Sequence, residues 1–453
     1  MRQALATVYR FSIIAGTLLP MYLYYVFLWY RRKWLGIRTT REKWRATHRK
    51  YAKRFYRMAV KLKGGMIKVG QLISARVDVM PREWIEELSL LQDSVPPTPW
   101  PYIHKTLKAE LGGEPDGIFE WIDHNALAAA SFGQVHRART KEGEEVVLKI
   151  QHEDIEFKLK VDLWMLRTAV KMFNIFIPRT DLSVIGREMS HALSNELSYE
   201  QEAAYCETIG NNFAGFTGGV VIPRVIRKYT TRHVICMEFF DGYKITNFAK
   251  MKELEIDRRE TLTMILNAWT KMMYQDGVFQ SDPHPGNLMF NKIGGKVVVC
   301  VLDFGQVKIL PKEFHQKLLA AVFAFLSRDV NQFLPALKGL GVLGDADLEA
   351  VRPILSEFFQ HYFHLSPQEA KNLDFRKIRE DVLATIEKID RITIPNDIIL
   401  YGRTFSLLSG LATQIDKTAN MFLIAKPFIM QTLMTMNAPA AQPAAPAAAA
   451  PAS

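Results

Sequence analysis

The segment DPHPGN at Asp282–Asn287, followed by DFG at Asp303–Gly305, is the most informative part of this 453-residue chain. Asp282 and Asn287 are five positions apart, so one loop can supply a catalytic carboxylate and a metal-binding amide. Asp303 follows two apolar runs separated by a two-glycine turn, which predicts a β-hairpin between the motifs. Phosphoryl transfer requires Mg²⁺ held against the phosphates and an acceptor oriented in line. The order and spacing therefore predict a phosphoryl-transfer site in which Asn287 and Asp303 bind the metal.

The residues expected to hold a nucleotide lie upstream, in the order found in protein kinases. The β-branched run Val146–Ile150 predicts a strand carrying Lys149, where a kinase holds the ATP phosphates. One hairpin earlier, an alanine-rich loop aligns with the kinase glycine-rich loop, but only Gly133 keeps glycine. Alanine disfavours positive φ, so the loop should cradle phosphates differently; a plain hairpin edge is the alternative. The predicted nucleotide-contacting residues of the loop are Ala128, Ala129, Ala130, Ser131, Phe132, Gly133, Gln134 and Val135.

A kinase lysine also needs a carboxylate partner on a helix, which keeps its ammonium group charged and aimed. The segment Glu188–Glu207 predicts such a helix, and its internal acids are Glu196, Glu200 and Glu202. Spacing alone leaves the partner open, because most glutamates on such a helix face solvent. Further along, an apolar strand ending at Glu238 and Phe239 predicts the hinge between two lobes, whose backbone would contact adenine.

Four ordered signatures resemble those of the UbiB/AarF atypical kinases. Lys68–Gln71 resembles the KxGQ signature, Ala128–Ala138 the alanine-rich loop, the run from Asn195 the ELDYxxEA motif, and Ser281–Asn287 the ADPHPGN motif. The resemblance extends from about Lys61 to about Lys308 and continues more weakly through the C-terminal part. It implies an α+β, bilobal protein-kinase-like fold with a small β-rich N-lobe and a helical C-lobe. A family-specific helical KxGQ extension would precede the N-lobe.

The resemblance also implies roles for individual residues. Glu202 matches the glutamate that pairs with the nucleotide-site lysine, which implies a Lys149–Glu202 ion pair. Glu196 matches the first acid of an ExD pair that lies against KxGQ near the phosphates. Ser198 stands where the second acid is usual, and this removes one possible metal or regulatory contact. The implied cofactors are ATP or ADP and Mg²⁺, with Asp282 as the catalytic aspartate.

The KxGQ residues Lys68, Gly70 and Gln71 follow a Gly64-Gly65 interruption of a basic helix. Lys68 and Gln71 are three apart and share a helical face, so they could offer a cation and an amide to phosphates or to Glu196. An ordinary solvated helix face is the alternative. In the family this element lies across the cleft where a protein substrate would dock, which implies a small or lipid-like substrate or ATP hydrolysis coupled to other work.

The N-terminus carries a predicted membrane helix. Phe11–Tyr30 contains no charged residue and ends at an aromatic edge, which fits a single span; a helix lying in the interface is the alternative. Residues 31–63 hold 14 Lys and Arg against one acid, whereas the chain as a whole has a net charge of +11. This local basicity predicts attraction to anionic headgroups and a body on the cytoplasmic side, at the inner membrane in a bacterium. Beside an apolar helix it argues against nucleic-acid binding.

Composition and pattern suggest five segments. They are a membrane anchor at 1–35, the basic KxGQ extension at 36–125, an N-lobe at 126–240, a helical C-lobe at 241–436 and a disordered Ala/Pro tail at 437–453. Helical periodicity in the C-lobe predicts helices at Phe314–Leu326, Val351–Phe363, Phe375–Ile389 and Asp397–Ser409. The three cysteines lack metal-ligand spacing and predict buried, reduced thiols. For His284, ordering of its loop or a phosphate-side role is favoured over metal binding.

Three functions remain open at this stage. The leading hypothesis is a lipid-stimulated ATPase or small-molecule kinase that supports ubiquinone or other isoprenoid lipid metabolism, as the resemblance implies. Its partners would be anionic lipids, isoprenoid quinones or their precursors, and lipid-biosynthetic enzymes. The second hypothesis is a nucleotide-gated scaffold without obligatory turnover, and the third is a protein Ser/Thr kinase.

Overall fold

The computed structural model describes residues 2–37, 39–74, 80–92, 97–129, 131–174, 197–344, 348–363 and 395–437. The chain forms two compact units. Unit 1 contains Met1–Glu207, Pro223–Phe240 and Phe304–Gln306, and unit 2 contains Thr208–Ile222, Asp241–Asp303 and Val307–Ser453. Ala130, Glu196, the predicted helix Phe375–Ile389 and the Ala/Pro tail lie outside the described residues.

Fifteen α-helices and eleven strands are described. The helices are α1 Arg2–Leu35, α2 Arg41–Leu62, α3 Gly65–Ser74, α4 Arg82–Ser89, α5 Trp100–Leu111, α6 Pro115–Ile118, α7 Ile155–Asn174, α8 Tyr199–Asn212, α9 Phe248–Glu253, α10 Arg258–Thr270, α11 Lys312–Leu326, α12 Val330–Gly339, α13 Leu348–Phe363, α14 Asn396–Ile415 and α15 Met421–Asn437. The strands are β1 Phe119–Ile122, β2 Ala128–Ala129, β3 Gly133–Thr140, β4 Glu145–Gln151, β5 Val220–Val221, β6 Val234–Glu238, β7 Tyr243–Lys244, β8 Val278–Gln280, β9 Leu288–Ile293, β10 Lys296–Val301 and β11 Val307–Ile309.

Unit 1 contains an antiparallel sheet in the order β1-β3-β4-β6, with β2 paired to β3. In β4, Val146, Leu148 and Ile150 are buried in a core shared with α5, so Lys149 projects to the opposite face. The sheet begins at β1, inside the segment predicted as the helical extension, because Phe119 and Ile122 pack in the same core. Sequence periodicity missed this strand because it is only four residues long.

The remaining helices of unit 1 share a second core. Thr40 caps the N-terminus of α2, because its side chain accepts a hydrogen bond from the backbone N–H of Lys43, and a positive φ at Lys63 and Gly64 ends the helix. α1 is continuous and packs on α2 and α7 through one face. The buried residues of this face recur every three, four or seven positions: Arg10, Ile14, Thr17, Met21 and Leu28.

Arg10 holds α1 at the junction of three helices. Its Nε and Nη2 atoms donate to the two carboxylate oxygens of Asp162 at 2.9 and 2.5 Å, and Nη1 donates to the Leu62 carbonyl oxygen at 2.9 Å. The Asp162 side chain is fully buried, and burial raises the pKa of its carboxyl to about 6, although Arg10 opposes the shift. Gly65 lies directly beside it, since a Cβ there would be 2.7 Å from Asp162 Oδ2.

Among the described residues, α1 contains the one segment, Thr7–Leu35, that is long and apolar enough to cross a membrane. Only 22% of its most apolar window is buried within the protein. The apolar helix predicted at Phe11–Tyr30 is therefore present, and the fold gives it a packed face and an exposed face.

Unit 2 contains a four-stranded sheet in the order β5-β10-β9-β7, in which β5 pairs with β10 in parallel, and a two-stranded sheet of β8 and β11. The indole N–H of Trp269 in α10 donates to the carbonyl oxygen of Gln280, which ties the helix to the end of β8. Three of the helices predicted for the C-lobe lie within the described residues, and all three are present, as α11, α13 and α14. α15 matches the predicted apolar helix near Met421.

The three cysteines are buried and free, as predicted. Burial raises the pKa of the Cys206 and Cys236 thiols to about 12, so both remain protonated at neutral pH. Within the described part of the chain, no cluster of three or more His, Cys, Asp and Glu residues could hold a metal ion.

Candidate active site

The predicted ion pair between Lys149 and Glu202 is formed in unit 1. Lys149 Nζ donates to Glu202 Oε1 at 2.7 Å and to Oε2 at 2.9 Å. The Lys149 side chain is 14% exposed and Glu202 only 4%, so a ligand can approach the ammonium group while the carboxylate stays shielded. Lys149 also lies over the ring of Tyr199, at 5.1 Å from its centroid. The arrangement fixes a cation on the face of the sheet opposite its core.

Ser198, which replaces the usual family acid, begins helix α8. Its hydroxyl oxygen accepts a hydrogen bond from the backbone N–H of Gln201 at 3.2 Å, which is an N-cap contact. Its carbonyl oxygen accepts from the N–H of Glu202 at 3.0 Å, which starts the first helical turn. Serine therefore keeps the capping function that an aspartate would provide, while the second carboxylate is lost. Glu196, the first acid of this pair, lies outside the described residues.

Strand pairing and a buried glutamine side chain hold the alanine-rich loop in place. Ala128 and Ala129 form β2 and pair with Val135 and Gln134. The Gln134 side chain is buried, and it accepts from the N–H of Thr98 at 2.7 Å and donates to the Thr98 carbonyl at 3.1 Å. A nucleotide predicted to contact Gln134 would thus meet its backbone only.

The tip of the loop packs against the helices of unit 1. Phe132 is 4% exposed and belongs to the core cluster formed by α1, α2, α3 and α7. Its carbonyl oxygen accepts from the N–H of His152 at 2.9 Å. Ser131 precedes it and is half-buried. This position in the loop is therefore anchored to the helical extension and not directed into solvent.

Gly133 keeps glycine for a steric reason. A Cβ at this position would collide with the carbonyl oxygen of Ile150 in β4 and lie 2.7 Å from the Tyr199 hydroxyl. We expect Gly133→Ala to lower the free energy of unfolding by about 1–3 kcal/mol, as overpacking does. Ala129→Gly, on the partly exposed β2, is the control and should cost about 1 kcal/mol or less. Denaturant titration checks this; equal stability of Gly133→Ala and wild type would contradict the steric explanation.

The predicted hinge residues Glu238 and Phe239 end β6. The N–H of Glu238 donates to the Arg224 carbonyl at 2.9 Å, and the N–H of Phe239 donates to the Glu145 carbonyl at 3.0 Å. The Phe239 ring is stacked under the Arg137 guanidinium at 4.2 Å. Both amides are used within unit 1, so adenine recognition at these two residues would have to use other groups.

The KxGQ residues lie on α3, where Gly70 is buried and Gln71 is half-buried. Gly70 allows Leu91 to pack against the helix, because a Cβ at Gly70 would collide with the Leu91 side chain. The Gln71 amide donates to the Leu91 carbonyl oxygen at 3.0 Å. Lys68 is half-buried. Gln71 and Gly70 therefore serve packing within unit 1 in this structure, and the predicted contact of Gln71 with phosphates would require it to leave Leu91.

In unit 2, a compact turn holds Asp282 and Asn287 together. The Asp282 carbonyl oxygen accepts from the N–H of His284 at 2.6 Å and from the Asn287 side-chain amide at 3.3 Å. The Gln280 side chain bridges the backbone N–H and carbonyl of Asp282. His284 Nδ1 accepts from the N–H of Gly286 at 3.1 Å, so His284 orders the loop as predicted. The backbone of the loop is thus fixed by its own side chains.

Asn287 and Asp303 meet at one end of the β9–β10 hairpin. Asn287 directly precedes β9, and its carbonyl oxygen accepts from the N–H of Leu302 at 2.9 Å, one residue before Asp303. Asp303 is half-buried. One carboxylate and one amide oxygen are hard ligands suited to Mg²⁺, which commonly completes its coordination with waters and substrate phosphates. The residues therefore fit a magnesium ion that arrives with a nucleotide.

Sequence reasoning missed the role of helix α14. Arg403 Nη2 lies 4.0 Å from Asp282 Oδ1, and the Thr404 hydroxyl donates to the Ser281 carbonyl at 3.2 Å. Tyr401 forms a hydroxyl–hydroxyl hydrogen bond with Tyr274. These contacts join residues more than 120 positions apart, so local patterns gave no signal. α14 therefore packs against the Asp282 loop and places the Arg403 guanidinium beside the Asp282 carboxylate.

This combination of a lysine–glutamate pair, an Asp-x-x-x-x-Asn loop and a DFG motif on a mixed α/β fold defines an atypical kinase-like protein. Residues 90–336, more than half of the chain, match the ABC1 atypical kinase-like domain. The chain belongs to the ABC1 atypical kinase-like family, which the KxGQ, alanine-rich, ELDYxxEA and ADPHPGN signatures had indicated.

Similar proteins occur in plants and cyanobacteria. The chain is 33% identical over 401 residues to the Arabidopsis thaliana protein ACTIVITY OF BC1 COMPLEX KINASE 8, chloroplastic, covering 81% of this chain and 52% of the relative. It is 30% identical over 371 residues to an uncharacterised Synechocystis sp. protein, covering 80% and 64%. The chain therefore spans between half and two thirds of the length of these relatives.

A solved structure has the same fold. A Mycobacterium tuberculosis protein determined in complex with erythromycin superposes with a TM-score of 0.54 at 22% identity. The match covers 81% of this chain and 92% of that protein. The predicted kinase-like α+β fold is thereby confirmed.

Proposed function

We propose that this protein binds ATP with Mg²⁺ and transfers or hydrolyses the γ-phosphoryl group. The observation that carries the proposal is the Lys149–Glu202 ion pair. Its carboxylate is shielded from solvent, while its ammonium group is held in place and remains partly exposed. Such a pair is the established means by which a kinase holds nucleotide phosphates. The loop that holds Asp282 and Asn287 supports the same conclusion from unit 2.

The proposed chemistry assigns one task to each polar side chain. Lys149 binds phosphate oxygens of the nucleotide, and Glu202 keeps the ammonium group aimed. Asp282 accepts the proton of water or an acceptor hydroxyl while that oxygen bonds to the γ-phosphorus and the bond to the ADP oxygen breaks. Asn287 and Asp303 would hold Mg²⁺, which neutralises charge on the phosphates. Arg403 positions the Asp282 carboxylate.

The first test compares wild type with Lys149→Met. Wild type should bind ATP in the presence of Mg²⁺ and hydrolyse it, with more turnover on anionic vesicles. Lys149→Met removes a charge-assisted contact to phosphate and should weaken ATP binding roughly 10- to 100-fold. Calorimetry measures the affinity, and phosphate release measures turnover. Lys141→Met is the control, because Lys141 is exposed in the turn after β3.

Two outcomes would contradict the proposal. One is that wild type fails to bind ATP with Mg²⁺. The other is that Lys149→Met and Lys141→Met bind ATP equally, which would mean that the nucleotide does not use the ion pair. ATP binding that depends on Lys149, without ATP hydrolysis, would favour the nucleotide-gated scaffold over the enzyme.

We also propose that α1 attaches the protein to a membrane, with the kinase-like body on the cytoplasmic side. Support comes from the apolar exposed face of α1 and from the basic residues that follow it, which the anionic cytoplasmic leaflet would attract. A spanning α1 would have to leave α2 and α7 and break the buried Arg10–Asp162 pair, so attachment through the exposed face is favoured. A role in ubiquinone or other isoprenoid lipid metabolism is proposed on the family resemblance alone. An acceptor of this class would be a lipid hydroxyl or a polar precursor.

A further inference from the structure

The basic residues of α2 form two stripes with different surroundings. One stripe, named here the paired stripe, faces α4 and forms ion pairs with its acids: Arg45 with Glu83 at 3.4 Å, Arg49 with Glu86 at 3.2 Å and Lys53 with Glu87 at 3.6 Å. Its members are four positions apart, so they follow one face of the helix. The positive charge of this stripe is neutralised within unit 1.

The other stripe, named here the open stripe, consists of Lys50, Arg54, Arg57 and Lys61. Its members are three or four positions apart and all are exposed. Arg54 Nη2 donates to the Gly16 carbonyl oxygen of α1 at 2.6 Å, and Lys61 Nζ lies 5.9 Å from the centroid of the Tyr9 ring. Across the ranges that the structure describes, no carboxylate forms an ion pair with a member of this stripe. Its charge is therefore available to an external anion.

A groove between α1 and α2 lies along the open stripe. It has a volume of about 200 Å³ and is lined by Ile13, Thr17, Arg54, Arg57, Met58 and Lys61. Thr17 and Met58 are buried, whereas the three cations are exposed, so the groove has a largely apolar base and a cationic opening. Three cations that line one groove can donate charge-assisted hydrogen bonds to the oxygens of a phosphate group.

The exposed face of α1 continues beyond this groove as an apolar surface. Its members recur every three or four residues and are Leu19, Leu23, Phe27, Tyr30 and Trp34. Trp34 is 73% exposed and Phe27 is 57% exposed. A continuous apolar surface of this kind on a soluble protein marks a contact with a membrane or another molecule. An exposed apolar helical face, next to a helix that carries exposed cations, suits attachment in a membrane interface, where apolar side chains enter the acyl boundary and cations meet anionic headgroups.

We propose that the groove between α1 and α2 binds the phosphate of an anionic lipid headgroup while α1, still docked on unit 1, lies along the membrane interface. The inference rests on the proposed membrane attachment and adds the binding residues and the orientation of α1. A lipid explains the apolar surface and the cations together, whereas a free phosphate explains the cations only. Arg10 keeps α1 against α7 through Asp162 and against α2 through the Leu62 carbonyl oxygen, so the groove persists in the attached protein.

The test measures binding of the full chain to vesicles of phosphatidylcholine, with or without an equal amount of phosphatidylglycerol, by co-sedimentation. The triple variant Arg54→Gln/Arg57→Gln/Lys61→Gln should bind the anionic vesicles about 100-fold more weakly than wild type. The matched control is Arg45→Gln/Arg49→Gln/Lys53→Gln, which removes the same charge from the other face of the same helix. It should retain most of the affinity, and its three cations are more than half exposed, so their removal should cost little folding stability except at Arg45, whose partner Glu83 is buried. Circular dichroism verifies that both variants are folded.

Each result decides a different part of the proposal. Equal losses in the two triple variants, or no loss in either, would overturn the groove while leaving membrane attachment intact. Failure of wild type to bind anionic vesicles would overturn membrane attachment as well. Calorimetric binding of inorganic phosphate by wild type without vesicles, lost in the open-stripe variant, together with equal vesicle binding of wild type and that variant, would identify a soluble anion site instead. Selective loss of vesicle binding in the open-stripe variant supports the lipid headgroup, and ATP binding tested separately reports on the nucleotide site.

Discussion

Asp282→Asn should lower kcat for ATP hydrolysis about 100- to 10,000-fold, the usual loss when a positioned general base is removed. An asparagine at this position cannot accept a proton from the attacking oxygen. The backbone contacts that fix the loop use the Asp282 N–H and carbonyl oxygen, so the substitution leaves them in place. The variant should therefore remain folded and bind ATP with an affinity close to that of wild type.

The experiment measures phosphate release with Mg²⁺ and anionic vesicles, beside ATP affinity by calorimetry. Asp116→Asn, an exposed aspartate in α6, makes the same chemical change away from the site and should leave kcat unchanged. If Asp282→Asn hydrolyses ATP as fast as wild type, while both proteins bind it tightly, Asp282 has no catalytic function. A nucleotide-gated scaffold would then explain the fold better than an enzyme.

Arg10→Gln should reduce the free energy of unfolding of unit 1 by about 3–5 kcal/mol, because it leaves a buried carboxylate without its cation. Asp162 has no exposed side-chain surface, and Arg10 donates to both of its oxygens. The Leu62 carbonyl at the end of α2 would also lose a donor. Denaturant unfolding gives the free energy, and amide hydrogen exchange should show earlier opening of α1 than in wild type.

The double variant Arg10→Met/Asp162→Leu separates the pair from simple packing. Replacing a buried ion pair with apolar side chains of similar size is often neutral or stabilising, so the double variant should recover most of the lost stability. If Arg10→Gln unfolds like wild type, the pair does not hold α1. If the double variant is as unstable as Arg10→Gln, the loss comes from packing and not from an unpaired charge.

The raised pKa of Asp162 adds a pH signature to the same pair. Its folded-state pKa of about 6 lies above the ordinary value of 3.8, so the folded protein binds this proton more tightly than the unfolded chain. The corresponding contribution to stability is fully present below pH 3.8 and is lost as the pH rises through about 6. The difference in unfolding free energy between wild type and Asp162→Asn should change across that interval and be constant above it.

The Lys149–Glu202 pair could be predicted because a strand pattern indicated Lys149 and a family motif indicated Glu202. The strand around Lys149 alternates half-buried and buried residues, which places the lysine opposite the core. Spacing alone could not choose Glu202 from the neighbouring glutamates, and the ELDYxxEA resemblance made that choice. The Asp282 loop was equally predictable, because the contacts that order it lie within a few residues of each other.

Other contacts were not predictable because their partners are backbone groups elsewhere in the chain. The amide of Gln71 binds a carbonyl oxygen 20 residues away, and Gln134 binds Thr98 at a separation of 36. Nothing in a side chain's identity specifies such a partner. Arg403 illustrates the same limit at longer range, since only the folded unit brings α14 against the Asp282 loop.

The packed face of α1 could not be recognised from the sequence, because the whole helix is apolar. The buried residues from Arg10 to Leu28 do recur at helical spacing. Apolar residues on the opposite face remove the polar contrast that normally reveals an amphipathic helix. Length and hydropathy therefore predicted a span, whereas the Arg10–Asp162 contact requires the complete fold to be recognised.

Phe132 lies in the core that α1, α2, α3, α4 and α7 share, which would make the two proposed ligand equilibria interdependent. If the alanine-rich loop binds a nucleotide and α1 lies on a membrane, a shift in the packing of either would be felt by the other through this core. By thermodynamic reciprocity, any factor by which a bilayer alters ATP affinity is also the factor by which ATP alters affinity for the bilayer. Residence on the membrane would then report nucleotide occupancy, without a separate sensor domain.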